Sequence, residues 1–282
     1  IEYIIEAEIE EEGNTVVNAT MFSEIIRRLP DADIKITINE NNLLVIECEG
    51  SLYKLSTMDP EEFPELPKIE IENSLETDQI SLRNMIKKTI FAVSNEENRP
   101  IFTGCLFETN KNKLNIVAVD GFRMGWVSKN LEKETEQFKA VIPGKTLNEV
   151  NKILTDSFDN IRIGISKNQG IFEMENCKIV TRLLDGEFFK YESAIPGTWE
   201  TRIKVNKNIL QSCLERVSLI SSSSIEKEKK YPVKITIDVG KITLSCTNQT
   251  GDAKEELYLE TEGKKLEIGR AHVWTPVTSL SR

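Results

Sequence analysis

The sequence is poor in the residues that most catalytic and metal sites need. It contains one histidine, His272, which lies near the C-terminal end. Its cysteines are odd in number, far apart and without C-x-x-C spacing, which is typical of reduced core residues. They are Cys48, Cys105, Cys177, Cys213 and Cys246. Chemistry that needs a histidine base or ligand is therefore nearly excluded, and we predict no metal or other cofactor.

Long apolar runs and an excess of positive charge are also missing. No stretch of 18 or more apolar residues occurs and no basic-then-apolar leader opens the chain, so we predict neither a membrane span nor secretion and expect a cytoplasmic protein. The 36 Lys and Arg are outnumbered by 46 Asp and Glu, which gives a net charge of −10. This balance argues against tight overall binding to nucleic-acid phosphates, unless basic residues are concentrated in one place.

The order of predicted helices and strands repeats along the chain. A helix over 20–29 with its following strands recurs about 127 residues later as a helix over 147–155. The helix over 81–95 recurs about 124 residues later as a helix over 206–221. Since each half-unit is one helix plus short strands joined by polar turns, we predict an α+β fold with antiparallel sheets. The units are the second half of a domain in 1–75, a complete domain in 76–199 and the first part of a third in 200–267.

The strands predicted between these helices follow alternating apolar patterns. After the first helix and its repeat they cover 34–38, 43–48, 52–58, 161–165, 171–174 and 177–184. After the second helix and its repeat they cover 101–108, 114–120, 233–239 and 241–246, and Ile1–Ile9 also reads as a strand. Thr146-x-x-Glu149 is the pattern of a capping box that opens a helix.

The four predicted helices are basic although the chain is acidic. The helical stretches 20–29, 81–95, 145–156 and 206–221 carry nine basic and four acidic residues, so the rest of the chain holds the negative charge. One basic helix alone usually indicates a face of solvated lysines. Random surface charge, however, seldom separates basic helices from an acidic remainder in this way.

Two glycines in Val119–Gly125 let the backbone turn while Phe122, Arg123 and Met124 project outward. An ordinary loop with a salt-bridged arginine is the alternative for that segment alone.

Acidic residues recur in two equivalent turns of the repeat. They are Asp59, Glu61, Glu62, Asp185 and Glu187. Carboxylates in turns leave one alternative function, a metal-dependent hydrolase. Nothing in the sequence supplies a matching nucleophile or a second set of ligands, and no Walker-type glycine loop occurs.

Four segments at matching intervals carry a family resemblance. They are Arg99-Pro-Ile-Phe-Thr-Gly104, Ala118-Val-Asp-Gly-Phe-Arg-Met124, Val141-Ile-Pro-Gly-Lys-Thr-Leu-Asn-Glu149 and Thr181-Arg-Leu-Leu-Asp-Gly-Glu-Phe188. Together they resemble the bacterial sliding clamps, the beta subunits of the DNA polymerase III holoenzyme, from Ile1 to about Glu267. The resemblance implies a non-enzymatic processivity factor, in which two protomers of three similar domains form a ring with helices lining the hole and sheets outside. Double-stranded DNA in the hole would explain the basic helices.

The resemblance also implies three sets of site residues. DNA phosphates would be contacted, without base reading, by Arg27, Arg28, Arg83, Lys87, Lys88, Lys152, Lys207 and Arg216. Peptides of the replicative polymerase, the clamp loader and other partners would enter a pocket walled by Phe102, Val119, Asp120, Gly121, Phe122, Arg123, Met124, Phe189, Ser193 and Ala194. The homodimer interface would join Tyr53 and Leu55 to Leu219, Ile220 and a strand over 255–262 of the partner. Phe122 and Phe189 depart from the family's usual His and Pro, and Leu219 and Ile220 could instead finish a core helix.

Both ends of the sequence suggest a piece of a longer protein. Ile1 stands in a strand-like run, and 268–278 resembles a sequencing adapter translated in frame, so we interpret 268–282 as a non-native tail. We therefore expect residues to be missing at both ends. On this interpretation the third domain folds poorly, partner peptides bind weakly, and this chain stays monomeric or aggregates whereas the intact protein closes a ring.

Overall fold

The computed structural model describes residues 1–64, 69–96, 98–195, 197–222 and 231–271. His272 and most of the predicted tail lie outside the described residues. The chain divides into two compact units. One comprises 1–75 and 161–181, and the other comprises 76–160 and the chain from 182 onward. The predicted domain limits at 199 and 267 stay predictions.

Four times along the chain, a helix is followed by three consecutive strands. The first set is α1 (Ala19–Arg28), β3 (Lys35–Ile38), β4 (Leu43–Cys48) and β5 (Ser51–Met58). The second is α2 (Gln79–Lys87), β7 (Gly104–Asn110), β8 (Lys113–Val119) and β9 (Met124–Asn130). The third is α3 (Gly144–Ile153), β11 (Asn160–Ile165), β12 (Gln169–Met174) and β13 (Cys177–Arg182). The fourth is α4 (Lys207–Ser222), β15 (Val233–Asp238), β16 (Lys241–Asn248) and β17 (Gly251–Tyr258). This order confirms the predicted repeat.

The strands of each set form an antiparallel meander, in agreement with the predicted α+β fold. Leu44 lies opposite Leu55 in the first set, Phe107 opposite Ile116 in the second and Ile235 opposite Leu244 in the fourth. Each strand therefore pairs with the strand next to it in sequence. Because the pairing is local, short runs of alternating apolar residues predicted these strands well.

A short strand precedes each helix, and two of these strands exchange places. They are β2 (Val16–Val17), β6 (Asn73–Asp78), β10 (Lys139–Pro143) and β14 (Thr201–Ile203). The strand before α3, β10, joins the meander that follows α2, in the order β10-β7-β8-β9. The strand before α2, β6, joins the meander that follows α3, in the order β1-β13-β12-β11-β6, where β1 is Glu2–Tyr3. Each of these two sheets is therefore completed by a strand from the other half-unit.

The first and last sheets differ in which strand is added to the meander. The first is ordered β2-β5-β4-β3 and the last β17-β16-β15-β19, where β19 is Leu266–Ala271. A separate pair joins β14 to β18 (Thr261–Gly263). The strand predicted over 255–262 is thus wrong in its limits, because β17 ends at Tyr258 and the chain turns, with the Leu259 amide donating to the Gly240 carbonyl, before β18 begins.

Apolar helix faces cover the sheets. Leu82, Met85 and Ile86 of α2 are buried, as are Leu147 and Val150 of α3. Burying each such side chain contributes about 1.5–3 kcal/mol. In α4, the buried residues Cys213, Leu214 and Val217 belong to one cluster with side chains of β15 and β16. The expectation that this last part folds poorly concerns its stability and stays a prediction.

Three predicted limits were wrong for identifiable reasons. The helix predicted to reach residue 95 ends at Lys87, because the buried hydroxyl of Thr89 donates to the Met85 and Ile86 carbonyls and a 3-10 turn follows at Ile90–Ala92. The strand predicted from Ile101 begins at Gly104, since Pro100 opens a 3-10 turn. The predicted strand Ile1–Ile9 is reduced to Glu2–Tyr3.

The predicted capping box at Thr146 was also wrong. Helix α3 begins at Gly144, directly after Pro143 at the end of β10, so Thr146 already lies inside the first turn. Asn18 and Asp78 cap α1 and α2, where their side chains accept from the Met21 and Ser81 amides at 3.0 and 2.8 Å. In the described part of the chain, no helix has the length and apolar character to cross a bilayer.

Candidate functional site

The eight predicted DNA-contacting residues fall into two groups, and those of the first group have no acidic partner within the described ranges. Lys87, Lys88 and Lys207 are exposed. Within the described ranges they form no ion pair with an acid. Lys87 ends α2 and Lys88 caps it, opposite the buried face formed by Leu82 and Ile86. Their charges are therefore available to an external anion.

The other five predicted DNA-contacting residues are held by acidic partners. Arg27 and Arg28 both pair with Glu24 at 3.0 Å. The remaining pairs join Lys152 to Glu149 at 2.8 Å, Arg216 to Glu255 at 2.8 Å and Arg83 to Asp156 at 2.5 Å. In each pair the carboxylate offsets part of the positive charge and competes with a phosphate for the cation. The sequence suggested one uniform set of cations, whereas the structure separates three unpaired lysines from five paired residues.

Two of the paired arginines are more strongly held than the rest. Arg216 makes two hydrogen bonds to Glu255, at 2.8 and 2.9 Å, and this contact raises the pKa of Arg216 further above its usual range. The side chain of Arg83 is one quarter exposed, and its Nε atom is buried without a hydrogen-bond partner. Arg83 is therefore a poorer phosphate ligand than its place on a basic helix suggested.

The predicted partner pocket lies over one apolar cluster. This cluster consists of five buried residues, Leu106, Val117, Val119, Val141 and Tyr191. The partly buried residues packed against it are Ile101, Met124, Leu184, Phe188 and Ile195. Val119 and Met124 of the predicted pocket thus join it directly. Sequence reasoning missed the role of Leu184 and Phe188, although both lie in a segment that carried the family resemblance.

The loop from Asp120 to Arg123 is fixed by one carboxylate. Asp120 Oδ1 accepts from the Phe122 and Arg123 amides, both at 3.0 Å, and Oδ2 pairs with Arg123 Nε at 2.7 Å. Burial works to raise the pKa of Asp120, but these bonds outweigh it and lower the pKa. Gly121 has φ = 92°, a conformation that favours glycine. The loop holds Phe122 in solvent, with 90% of the residue exposed.

Aromatic contacts involve two further pocket residues, and one of them connects Phe102 to this cluster. The ring of Phe102 meets that of Phe188 edge to face, with centroids 5.9 Å apart. The guanidinium of Arg123 lies 5.8 Å from the centre of the Phe91 ring. Phe189 follows Phe188 in the chain and is 43% exposed.

Ser193 and Ala194 lie on the surface of a short 3-10 turn, Tyr191–Ala194. The first residue of this turn, Tyr191, is itself a member of the apolar cluster. The structure therefore brings residues from Phe102, the Val119–Met124 segment and the 189–194 segment to one cluster. That they bind peptides stays a prediction.

Both strands predicted at the dimer interface lie at sheet edges. β5 is bonded to β4 along its length, but its other side is covered by β2 only at Thr57 and Met58. Tyr53 and Leu55 therefore stand on an open edge of the described sheet. β17 is the outermost strand of its sheet, and Leu219 on α4 is 68% exposed. Ile220, in contrast, packs against the buried cluster of α4.

The acidic turns have a structural role where their bonds are defined. Asp59 Oδ1 accepts from the Glu61 amide at 2.9 Å and so caps a 3-10 turn over Pro60–Glu62. Asp185 and Glu187 are exposed. Among the described residues, no group of three His, Cys, Asp or Glu side chains could hold a metal ion.

Comparison with known proteins identifies the family. Residues 1–67 match the family described as the DNA polymerase III beta subunit, N-terminal domain, and residues 76–190 match the central domain of the same subunit. A beta sliding clamp from Halalkalibacterium halodurans is 32% identical over 92% of this chain and 71% of its own length. One from Staphylococcus epidermidis is 32% identical over 93% of this chain and 69% of its own length.

Solved structures give the same result. The DNA polymerase sliding clamp from Bacillus subtilis superposes with a TM-score of 0.83 at 30% identity, over 94% of this chain and 72% of its own. The DNA polymerase III beta subunit from Thermotoga maritima gives 0.84 at 28% identity, over 93% and 70%. The fold and its basic helices thus define a scaffold built from repeated α+β half-units. The chain belongs to the bacterial beta sliding clamps, a family of non-catalytic DNA polymerase processivity factors. The hydrolase alternative has no support from these relatives.

Proposed function

We propose that this chain belongs to a sliding clamp protomer, a non-enzymatic scaffold of three clamp domains that, as the intact homodimer, encircles duplex DNA. The observation that carries the proposal is the separation of charge in a member of this family. The chain has a net charge of −10, yet Lys87, Lys88 and Lys207 at α2 and α4 have no acidic partner within the described ranges. Such lysines can contact phosphates of any sequence, while the acidic remainder limits tight binding.

Weak contact is what encirclement requires. A ring held by topology needs little affinity for DNA, and strong phosphate contacts would oppose sliding because each contact must break at every step. The five basic residues that already pair with Glu24, Asp156, Glu149 and Glu255 reduce the free positive charge further. Replication takes place on the chromosome, so we place the protein in the cytoplasm.

Retention on circular DNA tests encirclement directly. After incubation with a clamp loader and ATP, the intact clamp should elute with nicked circular DNA on gel filtration, and cutting that DNA once should release the clamp. Equal retention on circular and linear DNA of the same length would show ordinary surface binding and refute the proposal. Incubation without the loader is the matched control.

The apolar cluster supports the second part of the proposal, docking of partner peptides. A short peptide with Leu and Phe side chains can bury them against Met124, Val119 and Phe102, while the Asp120–Arg123 loop fixes its direction. The loop is rigid before binding, so little ordering is needed. The replicative polymerase, the clamp loader and other proteins that carry such peptides are the proposed partners.

Ring closure is the third part. An open strand edge with alternating apolar residues is a template for strand addition from another chain. β5, with Tyr53 and Leu55, supplies one such edge, and β17, with Leu219 nearby on α4, supplies the other. We propose that β5 of one protomer pairs with β17 of the next.

A further inference from the structure

A buried charged side chain lies beneath the proposed peptide pocket. The carboxylate of Glu108 on β7 accepts a hydrogen bond from the Tyr191 hydroxyl at 2.5 Å and pairs with Lys139 Nζ on β10 at 2.6 Å. Glu108 is 7% and Tyr191 4% exposed. Burial acts to raise the pKa of Glu108, but the bonds to Lys139 and Tyr191 outweigh it and lower the pKa, so the residue is charged at neutral pH.

The position of Tyr191 makes this bond more than a core contact. Tyr191 is the first residue of the 3-10 turn that carries Ser193 and Ala194. The other bonds of that turn are local: the Ser193 hydroxyl donates to the Lys190 carbonyl at 2.7 Å, and the Ile195 amide donates to the Glu192 carbonyl. The Tyr191 hydroxyl, in contrast, reaches a sheet strand 83 residues away in sequence.

We infer that Glu108 and Tyr191 are positioning residues for partner binding. Their bond fixes the Tyr191–Ala194 turn against β7, so that Ser193 and Ala194 stand at a constant distance from Met124 and Val119. Lys139 keeps Glu108 ionised and thereby strengthens the bond, since hydrogen bonds to charged acceptors are the stronger kind. This inference rests on the proposed function, because it assigns a role within the peptide pocket.

The test compares single substitutions in the full 282-residue chain. Tyr191→Phe removes only the hydroxyl and should weaken binding of a fluorescent clamp-binding pentapeptide about threefold to tenfold. Glu108→Met should weaken it as much, whereas Glu108→Gln, which keeps an acceptor oxygen but loses the charge, should have an affinity between those of wild type and Glu108→Met. Amide hydrogen exchange of residues 190–195 should rise in Tyr191→Phe and Glu108→Met alone.

Thr109→Val is the matched control. Thr109 follows Glu108 on β7 and is fully buried, and its hydroxyl donates to the Glu136 carbonyl at 2.6 Å, away from the turn. This variant should lose stability but keep peptide affinity. Equal weakening by Thr109→Val, or unchanged affinity in Tyr191→Phe, would overturn the inference.

Failure of the pocket and failure of the positioning bond are distinguishable. If the wild-type chain does not bind the pentapeptide at all, the proposed pocket is wrong. The exchange measurement then decides on the bond itself: a rise at 190–195 in Tyr191→Phe supports the positioning of the turn, and no rise overturns it.

Discussion

The division of basic residues into paired and unpaired groups predicts different salt dependences for two matched double substitutions. Lys87→Ala with Lys88→Ala removes two exposed, unpaired charges from α2. Arg27→Ala with Arg28→Ala also removes two positive charges, but both arginines share Glu24. The formal change in charge is the same in both variants, and only the pairing differs.

The expected magnitudes follow from counterion release. Each phosphate neutralised contributes about 0.9 to the slope of log affinity against log salt. Two unpaired lysines therefore account for about 1.8, whereas two arginines that share one carboxylate leave one net charge and account for about 0.9. Over a fourfold rise in salt, the wild-type chain should lose about 12-fold more affinity than the lysine variant, and about 3.5-fold more than the arginine variant.

Fluorescence anisotropy of short labelled duplexes measures these slopes. Titrations from about 50 to about 200 mM salt cover the fourfold range, and duplexes of unrelated sequence should give the same values, because no base is read. Equal slopes for the two variants would refute the reasoning, since it depends on Glu24 competing with phosphate. A slope that does not change in either variant would exclude both helices from the DNA surface.

Three further predictions test other parts of the molecule. Met124→Ala should weaken pentapeptide binding about tenfold by removing an apolar contact of the cluster; equal, tight binding by both proteins would count against this site. Asp78→Ala should lower the free energy of unfolding at pH 7 by about 2 kcal/mol in urea titrations. Asp78→Ala loses both the hydrogen bond from the Ser81 amide and the ion pair with Lys129. Asp78→Asn keeps a capping oxygen, so its free energy of unfolding should lie between those of wild type and Asp78→Ala. Burial acts to raise the pKa of Asp78, but the bonds to Lys129 and Ser81 lower it to about 2. The contribution of Asp78 to the free energy of unfolding is therefore full above about pH 4 and is lost as pH falls towards 2. In sedimentation velocity, wild type and Leu219→Asp should behave alike, as monomer or aggregate; a discrete dimer in wild type alone would contradict that expectation and support the interface.

Local patterns predicted much of the fold and the pocket's main loop. Helical spacing gave the buried face of α2, and the two glycines around Phe122 indicated a loop that presents this ring to solvent, where the structure places it. The pairing of Arg27 and Arg28 with Glu24 could also have been predicted, because three- and four-residue separations are neighbours on a helix.

Contacts between distant segments could not be predicted from such patterns. Arg216 meets Glu255 across 39 residues and Tyr191 meets Glu108 across 83. The periodicity of a helix or strand does not relate positions so far apart. Only the tertiary fold therefore decides which basic residue pairs with an acid and which turn is bonded to a sheet strand.

The exchange of β6 and β10 between half-units also bears on how the chain folds. The strands of the meander β7-β8-β9 are neighbours in sequence and can pair early. Their sheet is complete only when β10 has been synthesised. β6 cannot pair until β11 has been synthesised, and β11 begins only at Asn160. Chain closure over such distances is slow compared with hairpin formation. During synthesis, β6 therefore leaves the ribosome well before its partner exists and spends that interval with unpaired edges. This part of the clamp depends on the order in which its strands become available, and a pause in translation between β6 and β11 would lengthen its exposure to aggregation.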